Sequence, residues 1–413
     1  MSAQPIRILL AEDNPDDVLL VRAALHAAEG AKFELSSINR LSTAIALARE
    51  QPVDVLMLDL GLPDGQGLET FTRAHAALPH LPILVMSGLS DQEIAIQAVQ
   101  QGAQDYLLKG TAMMDVLPRA IRYAIERHRA QGELARYARE LHEKNAALEE
   151  ELRMAREVQQ AWLPRSYPQI SEPDGSPGCA GAPGCALRFA HYYRPANALS
   201  GDFFNVFRIS ESKAGVLICD VMGHGVRAAL IGALARGFIG QFAPVASDPG
   251  EFLSDLNREL AKTLNLTGIE SFASAFYFVA DMARRELRYA NAGHPSPLVL
   301  RRDAHAVEWL RDEGCHQLPL GLMADTSYRT SSGSLGTRDS IVLFTDGLYE
   351  EENAGGEQFG QQRLFDAMSC RMAQPCETLL EDLVGEAQRF SGHEEFSDDV
   401  CLLGMDVVNG AAR

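Results

Sequence analysis

The feature that most constrains the fold of this chain is a long polar stretch with few glycines, from about residue 115 to residue 164. Apolar residues recur through its later part at the heptad spacing of a coiled coil, which predicts one long helix. The predicted core positions are Leu134, Leu141, Leu148, Ala155 and Trp162 on one side, and Ala138, Asn145, Leu152 and Gln159 on the other. This helix separates an α/β pattern before it from a glycine-rich pattern after it.

The heptad pattern favours a parallel homodimer. In such a dimer Asn145 faces its own copy, which fixes the register and favours two strands. The same register sets Lys144 opposite Glu149 of the second copy and Glu151 opposite Arg156, and both pairs have opposite charges. The alternative is a solvated amphipathic helix that packs on its own chain, because alanine and glutamine are weak core residues.

Composition excludes several classes of protein. A chain of 413 residues fits two domains and a connector. The net charge of -19 argues against a general nucleic-acid binder, which needs clustered Lys and Arg. The sequence shows neither a membrane span of roughly 20 apolar residues nor a signal segment. Cys179 and Cys185 lack a second pair of metal ligands, so zinc is not expected. We therefore predict a cytoplasmic protein that binds neither nucleic acid nor membrane.

Residues 1–127 alternate short apolar runs with amphipathic helices, which predicts a doubly wound parallel sheet. The predicted strands are residues 8–11, 53–58, 83–86 and 106–108, with another near residues 33–38. In such a sheet the ligand site lies beyond the carboxyl ends of the strands. Four of the predicted strands are followed directly by polar residues, namely Glu12 and Asp13, Asp59, Ser87 and Lys109.

The three carboxylates of this set would repel one another without a hard divalent cation, and Mg²⁺ suits oxygen ligands. Together with the segment of residues 58–65, they resemble the receiver domain of response regulators, which has a flavodoxin-like fold. The resemblance implies that Asp59 is the phosphoacceptor and that a histidine kinase is the phosphoryl donor. It also implies that Glu12, Asp13, Asp59 and the carbonyl of Gly61 bind Mg²⁺.

Three further receiver roles follow from the same resemblance. Lys109 would neutralise the phosphoryl oxygens, Ser87 would hydrogen-bond the attached phosphoryl group, and Tyr106 would be the aromatic residue that moves with it. Many receivers have proline after the lysine, in a cis bond. This chain has Gly110 there, which leaves the geometry of the loop open.

Residues 165–413 contain longer alternating strands, which predict two packed antiparallel sheets with helices outside, an α-β-β-α sandwich. The predicted strands are residues 188–193, 204–209, 214–220, 273–281, 286–292, 297–301, 340–345 and 399–406, and the predicted helices are residues 226–242 and 251–264. Aspartates bound several of these apolar runs, namely Asp202, Asp220, Asp346, Asp398 and Asp399. Such a set predicts a carboxylate-lined centre for Mg²⁺ or Mn²⁺ rather than Zn²⁺.

The blocks of residues 201–204, 220–225, 291–295, 345–347 and 397–399 recur in an order that resembles metal-dependent Ser/Thr protein phosphatases of the type 2C class. The resemblance is to the bacterial branch of the stage II sporulation phosphatase. It implies that Asp220 bridges two Mn²⁺ or Mg²⁺ ions and that Asp346 and Asp398 complete one site. Asp202 and the carbonyl of Val221 would serve the other, and a metal-bound water would attack phosphoserine.

Three residues of this region leave questions open. Many family members have aspartate three residues after the first metal ligand, where this chain has Asn205, an oxygen donor without charge. His224 and His294 lie in glycine-rich turns. Both are candidate general acids for the family reaction, and we expect a structural role for both.

We therefore expect a receiver domain at residues 1–127, a helical coiled-coil linker at 128–164 and a phosphatase domain at 165–413. The expected function is a response regulator that dephosphorylates a phosphoserine/threonine protein, by resemblance an anti-sigma-factor antagonist in a partner-switching pathway. The alternative is a non-catalytic adaptor for a sigma-factor or anti-sigma partner. The presence of all four metal-binding aspartates argues against this alternative. A dimerising scaffold leaves both carboxylate sets unexplained.

Overall fold

A computed structural model of the chain describes residues 4–28, 32–88, 92–173, 185–311 and 317–409. The chain forms two compact units, Met1–Ala147 and Leu148–Arg413. Cys179 lies outside the described residues, so the expected absence of zinc in its loop stays a prediction. Within the described ranges, each helix is too short or too polar to cross a lipid bilayer.

The first unit contains a parallel sheet with the strand order β2-β1-β3-β6-β7, which confirms the predicted doubly wound fold. Its strands are β1 (Ile6–Ala11), β2 (Phe33–Ile38), β3 (Val55–Asp59), the two-residue β4 (Gly61–Leu62) and β5 (Gly65–Gln66), β6 (Ile83–Ser87) and β7 (Asp105–Leu108). Its helices are α1 (Pro15–Ala27), α2 (Leu41–Glu50), α3 (Leu68–Ala77), α4 (Gln92–Gln100) and the first part of α5 (Met113–Gln160).

The central strand β3 shows why these apolar runs fold as a parallel sheet. All five of its residues are buried, because helices cover both faces of such a sheet. Leu56 and Leu58 belong to the core on one face, and Val55 and Met57 belong to the core on the other. The carboxyl ends of β1, β3, β6 and β7 therefore meet at one edge of the sheet.

Helix α5 is 48 residues long and begins two residues before the predicted start. Pro118 lies in its second turn. Three predicted seam residues are exposed, with Leu134 at 70%, Leu141 at 61% and Leu148 at 55%. Gln159 is buried against Ser200 of its own chain, so its assignment to a seam with a second copy is wrong.

The second unit contains two five-stranded antiparallel sheets, with the orders β15-β12-β11-β10-β9 and β14-β13-β16-β17-β8. Its strands are β8 (Cys185–Arg194), β9 (Phe203–Arg208), β10 (Lys213–Val221), β11 (Ala273–Asp281), β12 (Glu286–Ala292), β13 (Leu298–Arg301), β14 (Ala306–Trp309), β15 (Ser331–Ser334), β16 (Ser340–Phe344) and β17 (Val400–Asn409). Its helices are α6 (Val226–Ile239), α7 (Pro249–Thr267), α8 (Gly360–Cys370) and α9 (Cys376–Ser391), with 3₁₀ helices at Gly240–Val245 and Asp346–Leu348.

Alternation along the strands builds the layers of this unit. In β10, Val216 and Ile218 face the core between the sheets, whereas Leu217 and Cys219 face the core under α6 and α7. A third core lies between the other sheet and the pair α8 and α9. These layers confirm the predicted α-β-β-α sandwich.

Candidate functional site

The first candidate site lies at the carboxyl edge of the parallel sheet. Glu12 directly follows β1, and Asp59 ends β3. One carboxylate oxygen each from Glu12, Asp13 and Asp59 lies within 4.8 Å of the other two. Gly61 lies beside them, since a Cβ built on it would be 3.7 Å from Asp59 Oδ2. Three clustered carboxylate oxygens fit a hard divalent cation such as Mg²⁺.

Lys109 follows β7 and reaches into the same cluster. Its Nζ lies 2.6 Å from Glu12 Oε2, 3.1 Å from Asp59 Oδ2 and 3.1 Å from Asp17 Oδ2. Burial lowers the pKa of Lys109, but the hydrogen bond to Glu12 and the charge of Asp59 outweigh it, so the pKa is raised and the amine stays charged. Asp17 was not singled out from the sequence, because an acidic residue in a first helical turn is common.

The remaining receiver residues lie on the neighbouring strands. Ser87 ends β6, is buried, and its Oγ has no hydrogen-bond partner among the described residues. Tyr106 lies on β7 and is half-buried. A buried hydroxyl without a partner is available to an incoming hydrogen-bonding group. After Lys109, Gly110 has a φ of 137°, a conformation that favours glycine.

The second candidate site is a cavity of about 470 Å³ in the second unit, which we call the carboxylate cavity. Asp220, Asp346 and Asp398 line it. Asp220 is the penultimate residue of β10, Asp346 follows β16, and Asp398 precedes β17. Three separate strand ends thus deliver carboxylates to one cavity.

Asp202 is not among the residues that line the carboxylate cavity. It precedes β9, is 3% exposed, and its Oδ2 has no hydrogen-bond partner among the described residues. A Cβ built on Gly201 would lie 2.9 Å from the carbonyl oxygen of Val221 and 2.9 Å from Ala228 Cβ. The lack of a side chain at Gly201 therefore lets the loop that carries Asp202 lie against the end of β10.

The carboxyl groups of this site oppose one another's ionisation. Burial and the charge of Asp220 raise the pKa of Asp202 well above its usual range. Burial and the charge of Asp346 raise the pKa of Asp220 to about 7. Burial and the charge of Asp398 raise the pKa of Asp346. Bound cations would relieve this repulsion, and a donor set made of oxygen atoms fits Mn²⁺ or Mg²⁺.

Asp399 has a role that the sequence did not reveal. Its Oδ1 accepts a hydrogen bond from Ala196 N at 2.8 Å, and its Oδ2 accepts one from Gly201 N at 2.9 Å. Asp399 therefore holds the loop that precedes Asp202 in place through these two hydrogen bonds. The only sequence signal was its position next to Asp398. A Cβ on Gly347 would overlap the carbonyl oxygen of Asp399, so this close approach requires glycine.

The sequence did not assign a role to three polar residues of this region, namely His294, His224 and Asn205. His294 is buried, lies 2.7 Å through Nδ1 from Ser274 Oγ, and burial lowers its pKa to about 3. His224 is exposed, and its Nδ1 lies 3.0 Å from Asn197 Nδ2. The burial of His294 and its contact with Ser274 fit the expected structural role, whereas the role of His224 stays a prediction. Asn205 is half-buried on β9, opposite Leu217 of β10.

Two family models match the chain. Residues 8–121 match the response regulator receiver domain, and residues 210–408 match Stage II sporulation protein E (SpoIIE). The chain thus combines an N-terminal receiver domain with a C-terminal SpoIIE-type phosphatase domain.

Curated relatives and a solved structure agree with this assignment. Phosphoserine phosphatase RsbP of Bacillus subtilis is 28% identical over 223 residues, which are 52% of this chain and 51% of RsbP. Phosphoserine phosphatase RsbU of the same organism is 27% identical over 252 residues, which are 60% of this chain and 69% of RsbU. The chain therefore spans about half the length of RsbP. The SiaA-PP2C domain of Pseudomonas aeruginosa shares the fold, with a TM-score of 0.52 and 23% identity over 64% of this chain and 98% of that domain.

Proposed function

We propose that this protein is a response regulator whose receiver controls a Mn²⁺- or Mg²⁺-dependent protein-serine/threonine phosphatase. The observation that carries the proposal is the carboxylate cavity, which Asp220, Asp346 and Asp398 line, with the loop that carries Asp202 packed against the end of β10. The names of RsbP and RsbU, both phosphoserine phosphatases, support the same class of substrate. The retained carboxylates also argue against the non-catalytic adaptor.

In the proposed reaction, Asp220, Asp346 and Asp398 would hold the divalent cations, together with Asp202 and the carbonyl of Val221. Bound Mn²⁺ or Mg²⁺ supplies a water of lowered pKa as the nucleophile and stabilises charge on the phosphoryl group. His294, which is neutral at physiological pH, hydrogen-bonds Ser274 and keeps the wall of the cavity in place. No protein side chain needs to form a covalent intermediate.

In the proposed receiver reaction, a carboxylate oxygen of Asp59 attacks the phosphorus of a phosphohistidine on the kinase. The new O–P bond forms as the P–N bond to the kinase breaks. Lys109, already 3.1 Å from Asp59, neutralises the added charge, and Ser87 donates to a phosphoryl oxygen. Glu12, Asp13, Asp59 and the carbonyl of Gly61 would hold Mg²⁺.

The proposed substrate is an anti-sigma-factor antagonist phosphorylated on serine or threonine, in a partner-switching pathway. The similarity to RsbP and RsbU supports this proposal. The proposed linker of residues 128–164 joins two copies of the chain in parallel. Leucines that are exposed and spaced seven residues apart support it, namely Leu134, Leu141 and Leu148.

Substitution of Asp346 by asparagine tests the metal centre. Asp346→Asn removes a carboxylate that faces Asp220 and Asp398, and we expect turnover of p-nitrophenyl phosphate with Mn²⁺ to fall by more than about 100-fold, since changes one shell further out cost 10- to 100-fold. Asp366→Asn, at an exposed position of α8, is the matched control and should leave turnover unchanged. Full turnover in Asp346→Asn, or in excess chelator, would contradict the proposed function.

A further inference from the structure

The last turn of α5 has one buried polar residue. Gln159 is 6% exposed, whereas its neighbour Val158 is 61% exposed and Gln160 is also exposed. The Gln159 amide forms two hydrogen bonds with the backbone of Ser200. Its Nε2 donates to Ser200 O at 2.7 Å, and its Oε1 accepts from Ser200 N at 3.1 Å. A buried glutamine thus satisfies both backbone groups of one loop residue.

Ser200 directly precedes the segment that carries Asp202. The Oγ of Ser200 accepts a hydrogen bond from Asp202 N at 3.0 Å, and Asp399 Oδ2 accepts one from Gly201 N at 2.9 Å. Gln159 and Asp399 therefore hold the segment of residues 200–202 from two different elements. These bonds hold the backbone that leads into Asp202 to the last turn of α5 and to Asp399, which precedes β17.

A second contact joins the same two parts of the chain on the other side of Asp202. Arg236 of α6 donates through Nη2 to Trp162 O at 3.0 Å and through Nη1 to Phe204 O at 3.1 Å. Its guanidinium carbon also lies 5.8 Å from the centre of the Trp162 ring. Gln159 thus contacts the chain just before Asp202. Arg236 links Trp162, which lies just beyond α5, to Phe204 after Asp202.

We propose that Gln159 is a positioning residue for Asp202, so that the last turn of α5 sets the affinity of the phosphatase site for its divalent cation. This inference rests on the proposed function, in which Asp202 holds a cation. Withdrawal of the Gln159 amide would leave the N–H and C=O of Ser200 unpaired in a buried position, which is unfavourable. The segment of residues 200–202 would then move to find new partners, and Asp202 would move with it.

The test is a pair of matched variants of the full-length chain. Gln159→Met keeps the length and apolar packing of the side chain but removes both hydrogen bonds. Gln160→Met makes the same change at the exposed neighbour. We expect Gln159→Met to raise the Mn²⁺ concentration for half-maximal turnover of p-nitrophenyl phosphate by about 10-fold or more, as for other residues that orient metal ligands. Turnover at saturating Mn²⁺ should stay close to that of the wild type, and Gln160→Met should change neither value.

Hydrogen–deuterium exchange gives a readout that is independent of activity. Backbone amides of residues 196–204 should exchange faster in Gln159→Met than in the wild type, and Gln160→Met should leave them unchanged. Gln159→Glu keeps the acceptor for Ser200 N–H and replaces the donor by a carboxylate oxygen that repels the Ser200 carbonyl, so it carries the test if Gln159→Met does not fold.

An unchanged Mn²⁺ requirement together with unchanged exchange in the folded variant would overturn the inference. Absence of Mn²⁺-dependent turnover in the wild type would instead contradict the proposed function. In that case the exchange of residues 196–204 alone decides whether Gln159 positions the loop.

Discussion

Asp220 is a half-buried acid whose pKa is raised to about 7 by desolvation and by the charge of Asp346. In an unfolded chain the pKa of aspartate is about 3.9. Between these two pH values, the folded chain binds more protons at this residue than the unfolded chain does. The contribution of Asp220 to stability is therefore complete below about pH 4 and is lost as the pH rises through about 7.

The predicted loss of stability with rising pH can be measured in the metal-free protein. In chelator, the free energy of unfolding of the second unit should fall as the pH rises from about 6.5 to 8, by up to about 1.4 kcal/mol per pH unit for one proton. Below about pH 6.5 the lowered pKa of His294 acts in the opposite direction, because the unfolded chain then binds more protons at this histidine. Both tryptophans, Trp162 and Trp309, lie in this unit, so urea denaturation followed by tryptophan fluorescence reports on it.

Two variants and the addition of Mn²⁺ test whether Asp220 causes this pH dependence. Asp220→Asn should reduce the pH slope, whereas Asp366→Asn should keep it. Excess Mn²⁺ should raise stability most at high pH, where the carboxylates are free of protons. A slope of opposite sign between about pH 6.5 and 8 in the metal-free wild type would show that the pKa of these carboxyl groups is not raised.

Single residues also show what the sequence can and cannot predict about a site. Asp59, Asp220 and Asp346 were identifiable because each interrupts or ends an apolar run. The contacts of Asp17 with Lys109 and of Asp399 with Gly201 were not, because they join residues that only the folded chain brings together. Sequence spacing does not encode such long-range hydrogen bonds.

Secondary-structure elements also differ in whether a local sequence pattern predicts them or contacts in the folded chain decide them. Strands with apolar alternation were predicted within a few residues, whereas β15 was missed because its sequence of three serines and a glycine has no apolar pattern. It is a strand because β12 offers an edge, with Glu286 opposite Ser334 and Tyr289 opposite Ser331. Helix α9 was also missed, although its buried Leu379 and Leu383 are spaced as a helix requires.

A testable prediction for helix α5 concerns its pairing with a second copy of the chain. If Leu134, Leu141 and Leu148 form a seam with a second copy, Asn145 lies between them and weakens it. Asn145→Ile should then lower the dissociation constant of the dimer by at least about 10-fold, or 1.4 kcal/mol, measured by sedimentation equilibrium.

The matched control is Glu143→Ile, which makes an exposed residue outside the predicted seam apolar. It should leave the dissociation constant unchanged. Equal effects of both variants would indicate nonspecific association, and a wild type that stays monomeric would contradict the proposed dimer.

At the scale of the whole molecule, each unit carries its own carboxylate site, and α5 contributes residues to both units. The two sites differ in chemistry, because one is proposed to gain a phosphoryl group on Asp59 and the other to remove one from a protein. Regulation then requires that the state of Asp59 changes the phosphatase reaction through a coupling free energy. Such couplings are typically 1–3 kcal/mol, or about 5- to 150-fold in an affinity.

Beryllofluoride, which mimics a phosphoryl group on aspartate, tests this coupling directly. It should change the Mn²⁺ requirement or the turnover of the wild type by about fivefold or more. Asp59→Asn should abolish the response, because the acceptor oxygen is gone, while its turnover without beryllofluoride stays close to that of the wild type. Asp16→Asn, an exposed neighbour of the site, should retain the response.

Asn145→Ile then separates two roles for the helix. If α5 transmits the signal through a marginal seam, strengthening that seam should remove the response to beryllofluoride, although Asp59 still binds it. A response that survives both in Asn145→Ile and in Gln159→Met would mean that α5 is only a spacer, because neither its seam nor its buried last turn would then matter. Loss of the response in either variant, with binding of beryllofluoride intact, makes the helix part of the switch.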